Sequence, residues 1–282
     1  MPNIMKLPAI GLGTGPLKGD VGIALMTEAI RMGYRLLDTA QHYGNEREVG
    51  EAVRASGVPR GEIVVLTKIW LDKLGAADLT QAAEESLKRL GLEQIDLLVP
   101  HWPNPNIPLA ETIGALNALR RAGVVREIGL SNYPSAMMAE AQRLSDAPIV
   151  ANEIEYQPYL NQDVMLAACR KAKIAVVTHC PLHRAGVVFS EPPVTAAAAR
   201  LGKSPAQILL RWQVQQGAVP IPSSHSASRL RDNISVFDFA LTNAEMAAIS
   251  ALSAKPHRIC EPPIAYAWDS SGVRLGSFLN GR

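Results

Sequence analysis

The 282 residues suit one large domain or two small ones, and 48% hydrophobic against 19% charged residues leaves material for a large core. A net charge of +2 gives no general pull toward nucleic acid or an acidic membrane surface. The three cysteines, Cys169, Cys180 and Cys260, are too scattered for a disulfide framework and lack metal-ligand spacing, so a metal-free chain in a reducing compartment is expected. No secretion signal precedes Pro8 and no apolar run reaches about 18 residues, which predicts a cytoplasmic protein without membrane contact, with a monomer as the default state.

Short apolar runs alternate with amphipathic segments along the whole chain. The predicted strands are Ala9–Gly13, Arg35–Asp38, Ile63–Thr67, Ile95–Val99, Arg126–Leu130, Ile149–Asn152, Ala175–Thr178 and Ala218–Ile221. All are rich in Val, Ile and Leu without strict alternation, the pattern of strands buried on both faces of a parallel sheet. Between them the spacing predicts helices over Asp20–Met32, Glu46–Ser56, Ala76–Leu90, Leu109–Ala122, Ser135–Leu144, Gln162–Lys173 and Ser204–Gln216, with one after Ser226 and one near Asn243–Leu252. Gly33, Gly91, Gly123 and Gly217 stand where C-terminal caps belong, and Ser204 before Pro205 reads as an N-cap with proline at the first helical position. Pro192–Pro193 and Pro262–Pro263 mark loops, and the tail beyond Lys255, with Tyr266, Trp268 and Phe278, is apolar enough to fold over a surface.

Alternating strands and helices suggest either a doubly wound sheet or a (β/α)8 TIM barrel. No G-x-G-x-x-G follows a strand, which disfavours a dinucleotide-binding doubly wound sheet. Chemically capable residues follow several different strands, and a barrel gathers such strand ends on one face. The expectation is therefore an α/β fold: one barrel domain over residues 1–282 with a short N-terminal segment and a C-terminal loop over the barrel.

Those residues are Asp38 at the end of one run, Tyr43 five residues later, Lys68 closing Val64-Val65-Leu66-Thr67, and His101 leading into Trp102-Pro103. Taken singly each has an ordinary role: Asp38 a helix cap, Tyr43 packing, Lys68 a solvated strand end, His101 a core histidine. Together, in the segments Gly33–Gly50, Thr67–Trp70, His101–Pro103, Gly129–Asn132 and Ala218–Asn233, the chain resembles the aldo-keto reductases over about residues 5 to 255, in particular bacterial reductases of the 2,5-diketogluconate type. The resemblance implies NAD(P)H-dependent reduction of small aldehydes or ketones, with Tyr43 as general acid, Lys68 easing its ionisation, Asp38 holding Lys68, and His101 orienting the carbonyl oxygen.

The same resemblance implies a cofactor surface. Ser131 and Asn132 would hold the nicotinamide carboxamide, with Glu153 where the family usually has glutamine. His179, in the run His179-Cys180-Pro181-Leu182, stands where the family often stacks tyrosine on the nicotinamide, and Cys180 and Leu182 beside it are expected on the cofactor surface too. Ser223, Ser224, Arg229 and Asn233 would take the adenosine end, with Ser223 replacing the usual lysine. NADP(H) is expected to be preferred and NAD(H) also accepted, since Arg229 can pair with a 2′-phosphate and Ser223 brings no charge. Trp70 and Trp102 would line the mouth for a small carbonyl substrate. Two other classes stay open at this point: a regulatory or sensing protein that binds the cofactor with little turnover, and a barrel acting on phosphorylated sugars.

Overall fold

The structure, a computed structural model, describes residues 5–261 and Asp269; Tyr266, Trp268 and Phe278 lie outside the described residues. Eight parallel strands form one sheet in chain order: β1 (Leu12–Gly13), β2 (Leu36–Asp38), β3 (Val64–Ile69), β4 (Ile95–Pro100), β5 (Val125–Ser131), β6 (Ile149–Glu155), β7 (Ala175–His179) and β8 (Ala218–Pro220). All eight predicted runs become strands, with ends moved by a few residues. The sheet curls so that β1 reaches β8: Gly11 N donates to Pro220 O at 2.9 Å and Gly13 N to Pro222 O at 3.1 Å. A Cβ on Gly13 would lie 2.7 Å from Ile221 O, so only glycine allows this backbone approach.

The strands carry apolar side chains on both faces. Leu36, Val64, Leu66, Leu97, Val99, Val177 and Val219 form one cluster, inside the curl. Their neighbours Leu37, Val65, Leu98 and Val176 belong to a second cluster, shared with the helices. Strand side chains alternate between faces, so two apolar environments produce the unbroken runs seen in the sequence.

Helices cover the outer face: α1 (Gly19–Met32), α2 (Glu46–Ser56), α3 (Ala76–Leu90), α4 (Leu109–Arg121), α5 (Ser135–Leu144), α6 (Asp163–Ala172), α7 (Pro192–Leu201), α8 (Pro205–Gln215), α9 (Ala227–Ile234) and α10 (Asn243–Ser250). Gly33 and Gly91 cap α1 and α3 with φ of 116° and 61°. Ser204 caps α8 in a full capping box with Gln207. The helix α7 corrects the expectation of a loop at Pro192–Pro193: both prolines occupy the first turn, where a missing N–H costs no intrahelical bond. None of the helices in the described residues is long and apolar enough to cross a membrane.

Candidate active site at the C-terminal ends of the strands

The alternation that sorts the core also builds the site. Asp38, Lys68, His101, Glu153 and His179 each lie two residues beyond a residue of the inner cluster: Leu36, Leu66, Val99, Ala151 and Val177. Polar side chains thus replace apolar ones where the inner layer meets the sheet's C-terminal end. Parallel strands put all these ends on one side.

Lys68 is fully buried. Its Nζ donates to the Asp38 carboxylate, to Thr39 O at 3.1 Å and to Tyr43 Oη at 3.5 Å. A second buried carboxylate, Glu153, places Oε2 at 3.3 Å from the same ammonium. One cation therefore faces two acids and a phenol. Burial, then the Glu153 charge, pushes the Asp38 carboxyl up to about 8 against the pull of Lys68. The Lys68 ammonium is held well above its ordinary range: its two carboxylate neighbours and the Tyr43 phenol outweigh the effect of burial. Tyr43 is also raised. Burial dominates, and Asp38 and Glu153 oppose the lowering by Lys68, so before any ligand arrives the phenol holds its proton firmly. This modifies the expectation that Lys68, held by Asp38, eases ionisation of the phenol: here burial and the two acids outweigh its pull.

The turn carrying Tyr43 is fixed by a buried amide. Asn45 Nδ2 donates to Thr14 O at 2.8 Å and Leu17 O at 3.0 Å, and its Oδ1 accepts from Thr39 Oγ1 at 2.7 Å. Glu46 accepts from Thr67 Oγ1 at 2.6 Å and Arg89 Nε at 2.7 Å, tying α2 to the residue before Lys68. Neither positioning residue was picked out as part of the site from the sequence. Their signal was only adjacency to Tyr43, in the run Gly44-Asn45-Glu46.

His101 meets the Tyr43 ring edge to face at 5.7 Å and the Trp70 ring at 5.2 Å. Burial, with help from Lys68, lowers its pKa to about 2, so the imidazole is neutral at physiological pH. Its Nδ1 is buried without a hydrogen-bond partner among the described residues. Trp70 stacks on His42 at 4.2 Å, which adds His42 to the aromatic wall, while Trp102 is buried beside His101 in sequence. A Cβ on Gly15 would touch the Tyr43 ring at 3.6 Å, so glycine there puts no side chain against the ring.

Ser131 and Asn132 end β5 beside β6, with Ser131 in register with Glu153. Asn132 adopts φ of 62°, which asparagine tolerates better than most residues, and bridges three strand ends. Its N donates to Glu153 O at 2.7 Å, its Nδ2 to His101 O at 3.0 Å, and its Oδ1 meets His179 Nε2 at 3.0 Å. Because the amide nitrogen faces a carbonyl, Oδ1 must face the ring, and His179 Nε2 carries the hydrogen. Burial opposes charging of His179, but Cys260 and the Glu153 and Glu155 carboxylates outweigh it and raise its pKa.

Beyond His179, Leu182 lines a groove of about 780 Å³ with Ser223, Ser224, Arg229 and Asn233. The expected adenosine-end residues thus come together, joined by His225 and Ser226, which sequence reasoning did not single out. Cys180 turns away from this set toward Cys260, with sulfurs 3.5 Å apart. This corrects the view of the cysteines as scattered, because the C-terminal segment returns across β7. The Cys180 thiol, followed by His179 and Arg184, holds Cys260 down at about 4 despite burial, and Cys180 is raised in turn.

The geometry brings together a phenol that keeps its proton at Tyr43, a neutral imidazole beside it and an aromatic cluster of Trp70 and His42, with a groove lined by Arg229 and several hydroxyls beyond Leu182. Ser223, Ser224, Arg229 and Asn233 fit a dinucleotide's phosphorylated end by charge and hydrogen bonding. The Aldo/keto reductase family model matches residues 9–254. The chain is 43% identical over 244 residues to 2,5-diketo-D-gluconic acid reductase B of Corynebacterium sp., covering 86% of this chain and 88% of that protein. It is 35% identical to methylglyoxal reductase DkgB of Escherichia coli O157:H7, covering 94% and 100%. The crystal structure of a Bombyx mori aldo-keto reductase in complex with NADP superposes with a TM-score of 0.83 at 35% identity, covering 90% of this chain and 92% of that one. The chain belongs to the aldo/keto reductase family.

Proposed function

We propose that this protein reduces small aldehydes and ketones to alcohols with NADPH as the preferred donor, within one (β/α)8 barrel domain spanning the chain. The observation that carries the reading is the convergence of Asp38, Tyr43, Lys68 and His101 on one buried cluster. The hydrogen bonds from Gly11 and Gly13 to the far edge of the sheet favour barrel closure. Relatives named for methylglyoxal and diketogluconic acid favour small, oxygen-rich carbonyl compounds as substrates. A purely regulatory role has no observation in its favour, and the family match favours carbonyl reduction over a barrel for phosphorylated sugars.

When held by Ser131, Asn132, Ser223, Ser224, Arg229 and Asn233, NADPH would supply the hydride for the carbonyl carbon. Tyr43 Oη donates its proton to the carbonyl oxygen as negative charge develops there, and the resulting phenolate is stabilised by Lys68 at hydrogen-bond distance. Asp38 fixes the ammonium in that position. Neutral His101 orients the carbonyl oxygen toward Tyr43, and Trp70 and His42 exclude water from the mouth. Ser131 and Asn132 hold the carboxamide, while the pull of Lys68 draws Glu153 away from that task.

Arg229 gives NADPH its advantage through a charge-assisted bond to the 2′-phosphate, worth about 1.5–3 kcal/mol or one to two powers of ten. Ser223 adds no charge, so NADH retains measurable activity. Loss of nicotinamide absorbance across a panel of aldehydes, ketones and ketoacids tests the activity. Dissociation constants for the two donors test the assignment of the phosphate site: Ser223→Lys is expected to widen the preference and Arg229→Ala to narrow it. Equal constants unmoved by Arg229→Ala contradict that assignment.

A further inference from the structure

Two thiols and an imidazole meet at the end of β7, and the carbonyl chemistry uses neither sulfur. One ring nitrogen of His179, the Cys180 sulfur and the Cys260 sulfur all lie within 4.8 Å of one another. The sulfurs are 3.5 Å apart, far beyond a covalent bond of about 2.05 Å. Two thiolates bound to one zinc ion at about 2.3 Å each stand about 3.8 Å apart at the tetrahedral angle. The gap between Cys180 and Cys260 is already close to that edge.

The cluster is built by side chains outside it. Cys260 is 80 positions from Cys180 and is brought there by the buried Glu155 carboxylate, which accepts from Ile259 N and Cys260 N, both at 2.8 Å. Gln157 Nε2 adds a bond to His257 O at 2.7 Å. Cys180 itself adopts φ of 52°, a left-handed conformation that is uncommon for cysteine and is held here between β7 and Pro181. Asn132 takes up His179 Nε2–H, so the neutral ring presents Nδ1 as its lone-pair nitrogen. A metal-binding histidine is usually fixed in just this way, by a carbonyl acceptor on its other nitrogen. All three residues are half-buried, which leaves a cation a way in.

We propose that His179, Cys180 and Cys260 form a binding site for one thiophilic divalent cation such as Zn²⁺, with a fourth position left to solvent. On binding, the Cys180 thiol releases its proton to solvent and joins the Cys260 thiolate on the cation, so two thiolates balance the cation's charge within the site. The cation joins the C-terminal segment to β7 and thereby stabilises the fold around the groove.

The test uses the full chain, reduced and stripped with a chelator, then titrated with Co²⁺ without oxygen. One equivalent is expected to produce sulfur-to-cobalt absorption in the near ultraviolet, and Zn²⁺ is expected to abolish it. Cys180→Ser and Cys260→Ser should each weaken binding at least about tenfold. Zn²⁺ should raise the melting temperature of the native chain and leave that of Cys260→Ser unchanged, a comparison that also reports whether the variant folds. The proposal is overturned by absence of the band in the native chain, by a band that survives in both serine variants, or by reduced protein that takes up no metal and instead loses two hydrogens in mass on mild oxidation.

Discussion

Glu153 is the residue that most distinguishes this site. The family's glutamine at this position implies contact with a carboxamide, whereas in the fold the Glu153 Oε2 lies 3.3 Å from Lys68 and the side chain stands beside Asp38. The Asp38 carboxyl is raised to about 8, chiefly through burial and then through Glu153. The unfolded chain releases that proton near its ordinary value of 3.8, so between about pH 4 and pH 8 the folded state binds more protons than the unfolded state. This contribution makes stability fall as pH rises through that window, by at most about 1.4 kcal/mol per pH unit. Glu153→Gln removes the repulsion, lowers the Asp38 value and narrows the window. Urea unfolding at about pH 5 and about pH 8 is expected to show a smaller loss in the variant than in the native chain. Equal losses would refute the assigned repulsion between Glu153 and Asp38.

Elements built from local signals were legible in the sequence, and those made by tertiary contact were not. The strands and most helices followed from apolar runs and caps because each signal lies within its own segment. The helix α7 was hidden because Pro192 and Pro193 read as breakers without knowledge of where the first turn begins. The convergence of Asp38, Tyr43, Lys68 and His101 was legible because Asp38, Lys68 and His101 stand at or just past the ends of recognisable runs. The same alternation that places Lys68 on the inner face also places Glu153 there, but the 3.3 Å contact needed the curl of the sheet. The Cys180–Cys260 approach was illegible, since Glu155 supports it from a third element. Caps provide a test at this scale. Ser204 accepts from Gln207 N within a capping box, whereas Ser226 makes no side-chain cap bond at the start of α9. Ser204→Ala is expected to cost about 1 kcal/mol in urea unfolding. Ser226→Ala should cost clearly less, and equal costs would refute the assigned difference.

In the molecule as a whole, a parallel sheet with an apolar interior carries its polar chemistry only where that interior opens at the strand ends. The groove past Leu182 and the aromatic cluster at Trp70 and His101 are both built from segments that follow these strand ends. The central claim is that the proton comes from Tyr43. Single-turnover reduction of methylglyoxal by pre-bound NADPH, compared between the native chain and Tyr43→Phe, tests it most directly. Cofactor fluorescence titration of both proteins establishes that donor binding is retained. The account predicts a loss of about 10²–10⁴-fold in the rate of hydride transfer, with the NADPH dissociation constant nearly unchanged. A variant that transfers hydride at most of the native rate would contradict it.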